Sequence, residues 1–254
     1  MIWDQLTSLQ IGLLDKNIPV VLPMAATEQH GPHLPLGTDR MIGEHFANNL
    51  ENIMSDKVLI LPSISVGCSD HHMDFEGTLS LGHDTFTAQV TDIVTSVLQH
   101  GFYNMIMLNS HGGNQGVGQV LLEQLGFAYP KAHFVLATWW HTASKALMDI
   151  TDTGPGGVGH AGEFETSLML LIAPNLVNKE VIVQGDNVKT FDWAEGDMLR
   201  GSKAGYYRTM EEMTPSGVYG DPTKASEEKG ERITKCVVEA LQNIVTDLSG
   251  ATKY

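Results

Sequence analysis

A chain of 254 residues with 42% hydrophobic and 18% charged residues can bury a sizeable core, which excludes a disordered polypeptide. Fifteen Lys and Arg against thirty Asp and Glu give a formal charge of −15. That excess of acid excludes nucleic acid and an anionic membrane as partners, because both are bound by a basic face. Two cysteines, Cys68 and Cys236, are too few for a disulfide framework, and eleven histidines in so acidic a chain match the composition of a metal site. With no basic leader running into an apolar stretch, and no run long enough to span a bilayer, a cytoplasmic protein is expected.

In chain order, residues 18–26 form a first apolar strand candidate, although Pro19 and Pro23 blur its edges. A helix follows at about 40–54, a strand at 57–61, and a helix at 84–100, where Phe86, Val90, Ile93, Val94 and Val97 fall at helical spacing. A strand at 104–109, a helix at 115–128 and a strand at 133–139 come next. The tryptophans Trp139 and Trp140 end that last strand, one facing in and one out. The clearest helix runs from Ser226, with Ile233, Val237, Leu241, Ile244 and Leu248 on one stripe. Strand–helix alternation predicts an α/β fold, a mostly parallel sheet with helices on both faces and ligands at the carboxyl ends of the strands. Residues 181–222 have no sustained period and are expected to form a lid, an insertion or an oligomer contact within one domain spanning 1–254.

Three clusters carry candidate chemistry. Glu28, His30 and Asp39 follow the first strand; Glu28 and His30, two apart, share a face in extended backbone. As an alternative, Asp39 is a helix cap and the histidines are surface residues. His111, in Asn109-Ser-His-Gly-Gly-Asn114, follows the third strand, either as a metal ligand or beside an anion site built from glycine N–H groups. In His160-Ala-Gly-Glu163-Phe-Glu165-Thr-Ser, Glu163 shares a face with His160 if a helix begins there, whereas Glu165 and Thr166 suit helix capping. His72 and Trp140 are candidate pocket residues, and Cys68 is a buried thiol.

Together, Glu28-Gln-His30-Gly, Asp39, His72-x-x-Phe75-Glu-Gly-Thr78, His111-Gly-Gly-Asn114, the His160–Ser167 block and Gly217-Val-Tyr-Gly-Asp221-Pro resemble the creatininase (creatinine amidohydrolase) family, in order and over nearly the whole chain. The resemblance implies a three-layer α/β/α hydrolase of non-peptide C–N bonds with two divalent ions, zinc or manganese, in a homo-oligomer, often a hexamer. Carried over, Glu28, Asp39 and His111 hold one ion, and His30 with the bridging Asp39 holds the other. Creatinine-hydrolysing members have an aromatic residue and a ligating glutamate where this chain has Gly112 and Gly113. We expect Glu163 to replace that lost carboxylate. An aromatic is also missing from Gly154–Gly159, which argues against creatinine as the substrate.

The expected reaction is hydrolysis of a small cyclic amide or formamide. A divalent ion lowers the pKa of its water from about 15.7 toward 7, and His160 shuttles the proton to the leaving nitrogen. The alternatives are a deformylase, a lactone or diketone hydrolase on the same metal pair, or a catalytically silent metal-binding subunit.

Overall fold

The computed structural model describes residues 1–251. After a 3-10 turn at Trp3–Gln5, the elements are α1 (Ser8–Leu13), β1 (Val20–Met24), α2 (Thr38–Met54), β2 (Leu59–Ile60), α3 (His83–Gln99), β3 (Asn104–Asn109), α4 (Asn114–Ala128) and β4 (His133–Thr138). The second half holds the short helices α5 (Trp139–Thr142) and α6 (Ser144–Met148), then α7 (Glu163–Ile172), α8 (Met210–Met213) and α9 (Glu227–Ser249). The strands form one parallel sheet in the order β2-β1-β3-β4.

Alternation along the strands splits the interior in two. Val21, Ile106, Leu108 and Ala137 face a core shared with α2, α7 and α9. Val20, Leu22, Met24, Met105 and Met107 face the opposite core, under α3 and α4. This is the expected three-layer α/β/α arrangement. Pro23 sits inside a central strand without breaking it. Its partner there is Leu108 of β3, whereas β2 pairs only as far as Val21, so the missing N–H falls where the β2 ladder has already ended.

The expected elements agree with the observed ones to within a few residues, and Ser226 caps α9 by accepting from the Lys229 N–H. One local expectation fails. Trp139 and Trp140 do not end a strand on opposite faces; they open α5, are both buried and meet edge-on at 5.4 Å. Residues 181–222 hold no strand, and between the 3-10 turns at Lys179–Val181 and Pro222–Lys224 the four-residue α8 is the one helix. The parallel register brings Met24, Asn109 and Thr138 level, so the segments after β1, β3 and β4 emerge side by side at one edge.

Candidate metal centre

Glu28 and His30 lie just past β1, Asp39 in the first turn of α2, and His111 just past β3; all four are buried. The Asp39 carboxylate sits between two imidazoles: Oδ1 is 3.2 Å from His30 Nε2 and Oδ2 is 3.2 Å from His111 Nδ1. Glu28 Oε1 lies 3.2 Å from the same His111 nitrogen, 3.4 Å from His72 Nε2 and 3.7 Å from His160 Nδ1. Glu165 Oε1 completes the group, 3.8 Å from His30 Nε2.

Backbone carbonyls set the tautomers. His30 Nδ1 is 3.1 Å from the Glu28 carbonyl, His111 Nε2 is 3.0 Å from the Cys68 carbonyl, and His160 Nε2 is 2.7 Å from the Gln29 carbonyl. A carbonyl can only accept, so each of these nitrogens carries the proton, and the other ring nitrogen turns a lone pair toward the carboxylates. His72 is set the other way. The Gln29 amide, oriented by the Gly31 N–H on its oxygen, donates to His72 Nδ1 at 3.0 Å, so the His72 Nε2–H points at Glu28.

Lone pairs facing carboxylates in a buried site require a cation between them. Glu28 Oε2 and Asp39 Oδ2 have no hydrogen-bond partner, although both are buried. Three triads have ligand atoms close enough to share an ion: Glu28, Asp39 and His111; His30, His160 and Glu165; and Glu28, His72 and His160. Proton affinities follow the same logic. Burial alone would lower the His30 and His111 values, but Asp39 with Glu165, and Glu28 with Asp39, hold them well above the usual imidazole range. A proton thus fills the place a metal ion would take. His160 is instead kept neutral by burial and by His30, and burial pushes the Glu165 carboxyl up.

Glu163 does not reach this centre, which corrects the expected ligand set. Its carboxylate accepts from Lys229 Nζ, from the Asp152 N–H at 2.8 Å and from the Thr151 hydroxyl at 2.7 Å. The helix begins at Glu163 and not at His160, because Ala161 takes a left-handed conformation (φ 53°) that breaks the chain's direction. Residues two apart on a helix point to opposite sides. Glu163 therefore faces α9, and Glu165 faces His30. The Ala161 N–H, turned inward by that conformation, donates to Glu165 Oε2 at 2.6 Å. The sequence reading assigned Glu165 to capping; the two-residue offset from Glu163 was the signal that only one of the pair could face His30.

A glutamate cannot stand at position 113 in this backbone, since a Cβ there would collide with the Cys68 carbonyl and the His111 ring. Gly112 is open and lines the cavity above the centre, as do Trp140, His72 and Gly159. His33 stays outside the group. It meets the Thr166 hydroxyl at 2.9 Å, and its value is lowered to about 4, first by burial and then by His30. The cavity measures about 500 Å³, and residues 190–219 form much of its wall.

A parallel α/β sheet with clustered carboxylates and lone-pair imidazoles at its carboxyl edge has the architecture of a metal-dependent hydrolase. The family model described as creatinine amidohydrolase matches residues 4–245, and the chain belongs to the creatininase family. It is 30% identical over 234 residues to the mycofactocin precursor peptide peptidase of Mycobacterium tuberculosis, covering 87% of this chain and 81% of that relative. It is 25% identical over 246 residues to the creatinine amidohydrolase of Pseudomonas putida, covering 90% of this chain and 88% of that enzyme. The fold matches a solved manganese creatininase with a TM-score of 0.80 at 23% identity, covering 98% of this chain and 99% of that one. A zinc–zinc mutant creatininase matches equally well, with a TM-score of 0.80 over 98% of each chain. Among the described residues, no helix is long and apolar enough to cross a membrane.

Proposed function

We propose that the protein hydrolyses the C–N bond of a small amide with two divalent ions, zinc or manganese. Glu28, Asp39 and His111 would hold one ion. His30, Asp39 and Glu165 would hold the other, with Asp39 shared. The observation that carries this reading is the set of carbonyl-fixed tautomers, which aim the His30 and His111 lone pairs at buried carboxylate oxygens. Carboxylate and imidazole donors suit zinc and manganese alike. Creatininases solved with those metals share the fold.

When bound, two such ions supply a water acidic enough to ionise near neutral pH and stabilise charge on the substrate carbonyl. The chain's own residues do the rest. His160, neutral and held by the Gln29 carbonyl, offers Nδ1 as the base that takes a proton from the attacking water and returns it to the leaving nitrogen. The His72 Nε2–H faces Glu28 and orients its carboxylate. Trp140 forms an apolar wall that limits water in the cavity.

A cavity of this size admits a small molecule or one end of a peptide. The 30% identical relative named a peptide peptidase supports an amide of peptide type beside the cyclic and formyl amides. Gly112 and Gly159 bring no ring to the cavity at the places where creatinine-hydrolysing members carry aromatics, so its aromatic lining comes from Trp140, Tyr206 and Tyr219 instead, which argues against creatinine as the substrate. Residues 190–219 act as the cover of the site.

The test is turnover of formamides, cyclic amides and dipeptides by protein reconstituted with zinc or manganese. His160→Ala should keep its metal content and lose about 10²- to 10⁴-fold in kcat. Equal rates with and without metal, or no turnover of any of the three classes, would overturn the proposal.

A further inference from the structure

The cavity wall contains many acids and imidazoles but, among the described residues, one arginine and no lysine. That arginine is Arg208. It is half-buried, in the residue before the Thr209 cap of α8. Its guanidinium donates through Nη1 to the Val188 carbonyl at 2.9 Å and makes no ion pair with any described residue. The Nε and Nη2 donors, which form the edge that grips a carboxylate in two parallel bonds, are left over.

Acids of the same region accept from other donors, and among the described residues none forms an ion pair with Arg208. Glu212 closes the α8 capping box by accepting from the Thr209 N–H at 2.9 Å. Glu195 accepts from the Thr190 N–H at 2.7 Å and from the Tyr219 hydroxyl at 3.1 Å. Asp197 takes the amides of Gly156, Leu199 and Arg200, together with the Arg200 guanidinium at 3.1 Å. The Arg208 charge is felt inside the cavity. Burial and Glu195 push the Tyr219 hydroxyl up to about 12, and Arg208 pulls against them.

We propose that Arg208 is the subsite for a carboxylate on the substrate, so that the substrate class is an amide carrying a free acid group. The inference rests on the hydrolase reading above and narrows it. A single guanidinium matches a single negative charge, whereas a phosphate dianion calls for several donors, and the rest of this wall is acidic. A cavity of about 500 Å³ is about 10 Å across, so an acid group held at its wall sits within an amino acid or two of the scissile bond. The three carboxylates of the centre, outweighed by two divalent ions, would no longer repel such an anion.

The experiment uses metal-loaded protein and two matched pairs, N-formyl-leucine and leucyl-leucine, each as free acid and as carboxamide. Calorimetric binding should favour the acids at least tenfold in the wild type. Arg208→Gln should erase that preference, and Arg208→Lys should retain part of it, with metal content and Tm unchanged in both. Where a pair is turned over, Arg208→Gln should raise KM for the acid and leave kcat within about threefold. An acid preference that survives Arg208→Gln, or acid and carboxamide bound alike or not at all, overturns the proposal. A preference that depends on Arg208 without turnover of any amide supports the subsite and counts against the hydrolase reading.

Discussion

Glu163 and Glu165 share one helical turn and lie on opposite sides of it, each buried among polar groups. On one side the protein provides its own cation. Lys229 reaches from α9 to Glu163 and Asp152, and hydroxyls and amides of 151–153 satisfy the remaining oxygens. On the other side, Glu165, Asp39 and Glu28 face imidazole lone pairs, and none of the three forms an ion pair with a lysine or arginine among the described residues. The first arrangement closes a polar network inside the chain. The second is incomplete without cations from solution, which is the physical difference between a structural ion pair and a metal centre.

That contrast can be broken first at Asp39, the carboxylate between the two imidazole groups. Asp39→Asn is expected to remove both ions and with them turnover, read by elemental analysis and by rate; two ions retained would separate Asp39 from the centre. Next come the two glutamates. Glu163→Gln takes the buried carboxylate from Lys229, which keeps Asp152 and the Lys224 carbonyl, and should cost about 1–3 kcal/mol in urea unfolding, with two metals still bound. Glu165→Gln should do the reverse. It removes a carboxyl that burial already disfavours as an anion, so the metal-free protein loses no stability, while one ion per chain is lost. Metal loss in Glu163→Gln would overturn the assignment of the two roles.

Chelation gives an effect set by occupancy. At a hundredfold excess of ion over its dissociation constant, binding adds about 2.7 kcal/mol, so Tm should fall on chelation and recover with zinc or manganese. Lys229→Met should leave that metal-dependent increment intact, because its network is independent of the centre. The smallest change is expected at His72, which donates to Glu28 from outside the ligand triads that include Asp39. His72→Asn should weaken metal binding by about 10- to 100-fold, seen by competition with a chelator, with the fold unaltered.

Much of the architecture was legible because it follows from local pattern. Apolar strand runs alternate with helical stripes, and that alternation dictates parallel pairing and helices on both faces. The same pattern puts Glu28, His30 and His111 after strand carboxyl ends, where an α/β sheet gathers its ligands. Asp39 was legible from its place one loop away. The opposite facing of Glu163 and Glu165 was not, because it depends on where the helix starts. That start is fixed by the left-handed turn at Ala161, a conformation an alanine sequence does not announce. Nor did the tryptophan pair reveal that it opens a helix, since strand and helix patterns coincide over two residues.

The sequence by itself determined the layered fold, the edge of the sheet at which the chemistry gathers and the acid–imidazole composition of the site, because spacing and burial periodicity are properties of the chain. Only the tertiary structure decided which carboxylate faces the imidazoles and which faces Lys229, which ring nitrogen carries each proton, and that Arg208 lines the cavity without an ion pair among the described residues. Those depend on partners far apart in the chain, as in the Gln29–His160 contact at a separation of 131 residues, whose approach no local pattern encodes.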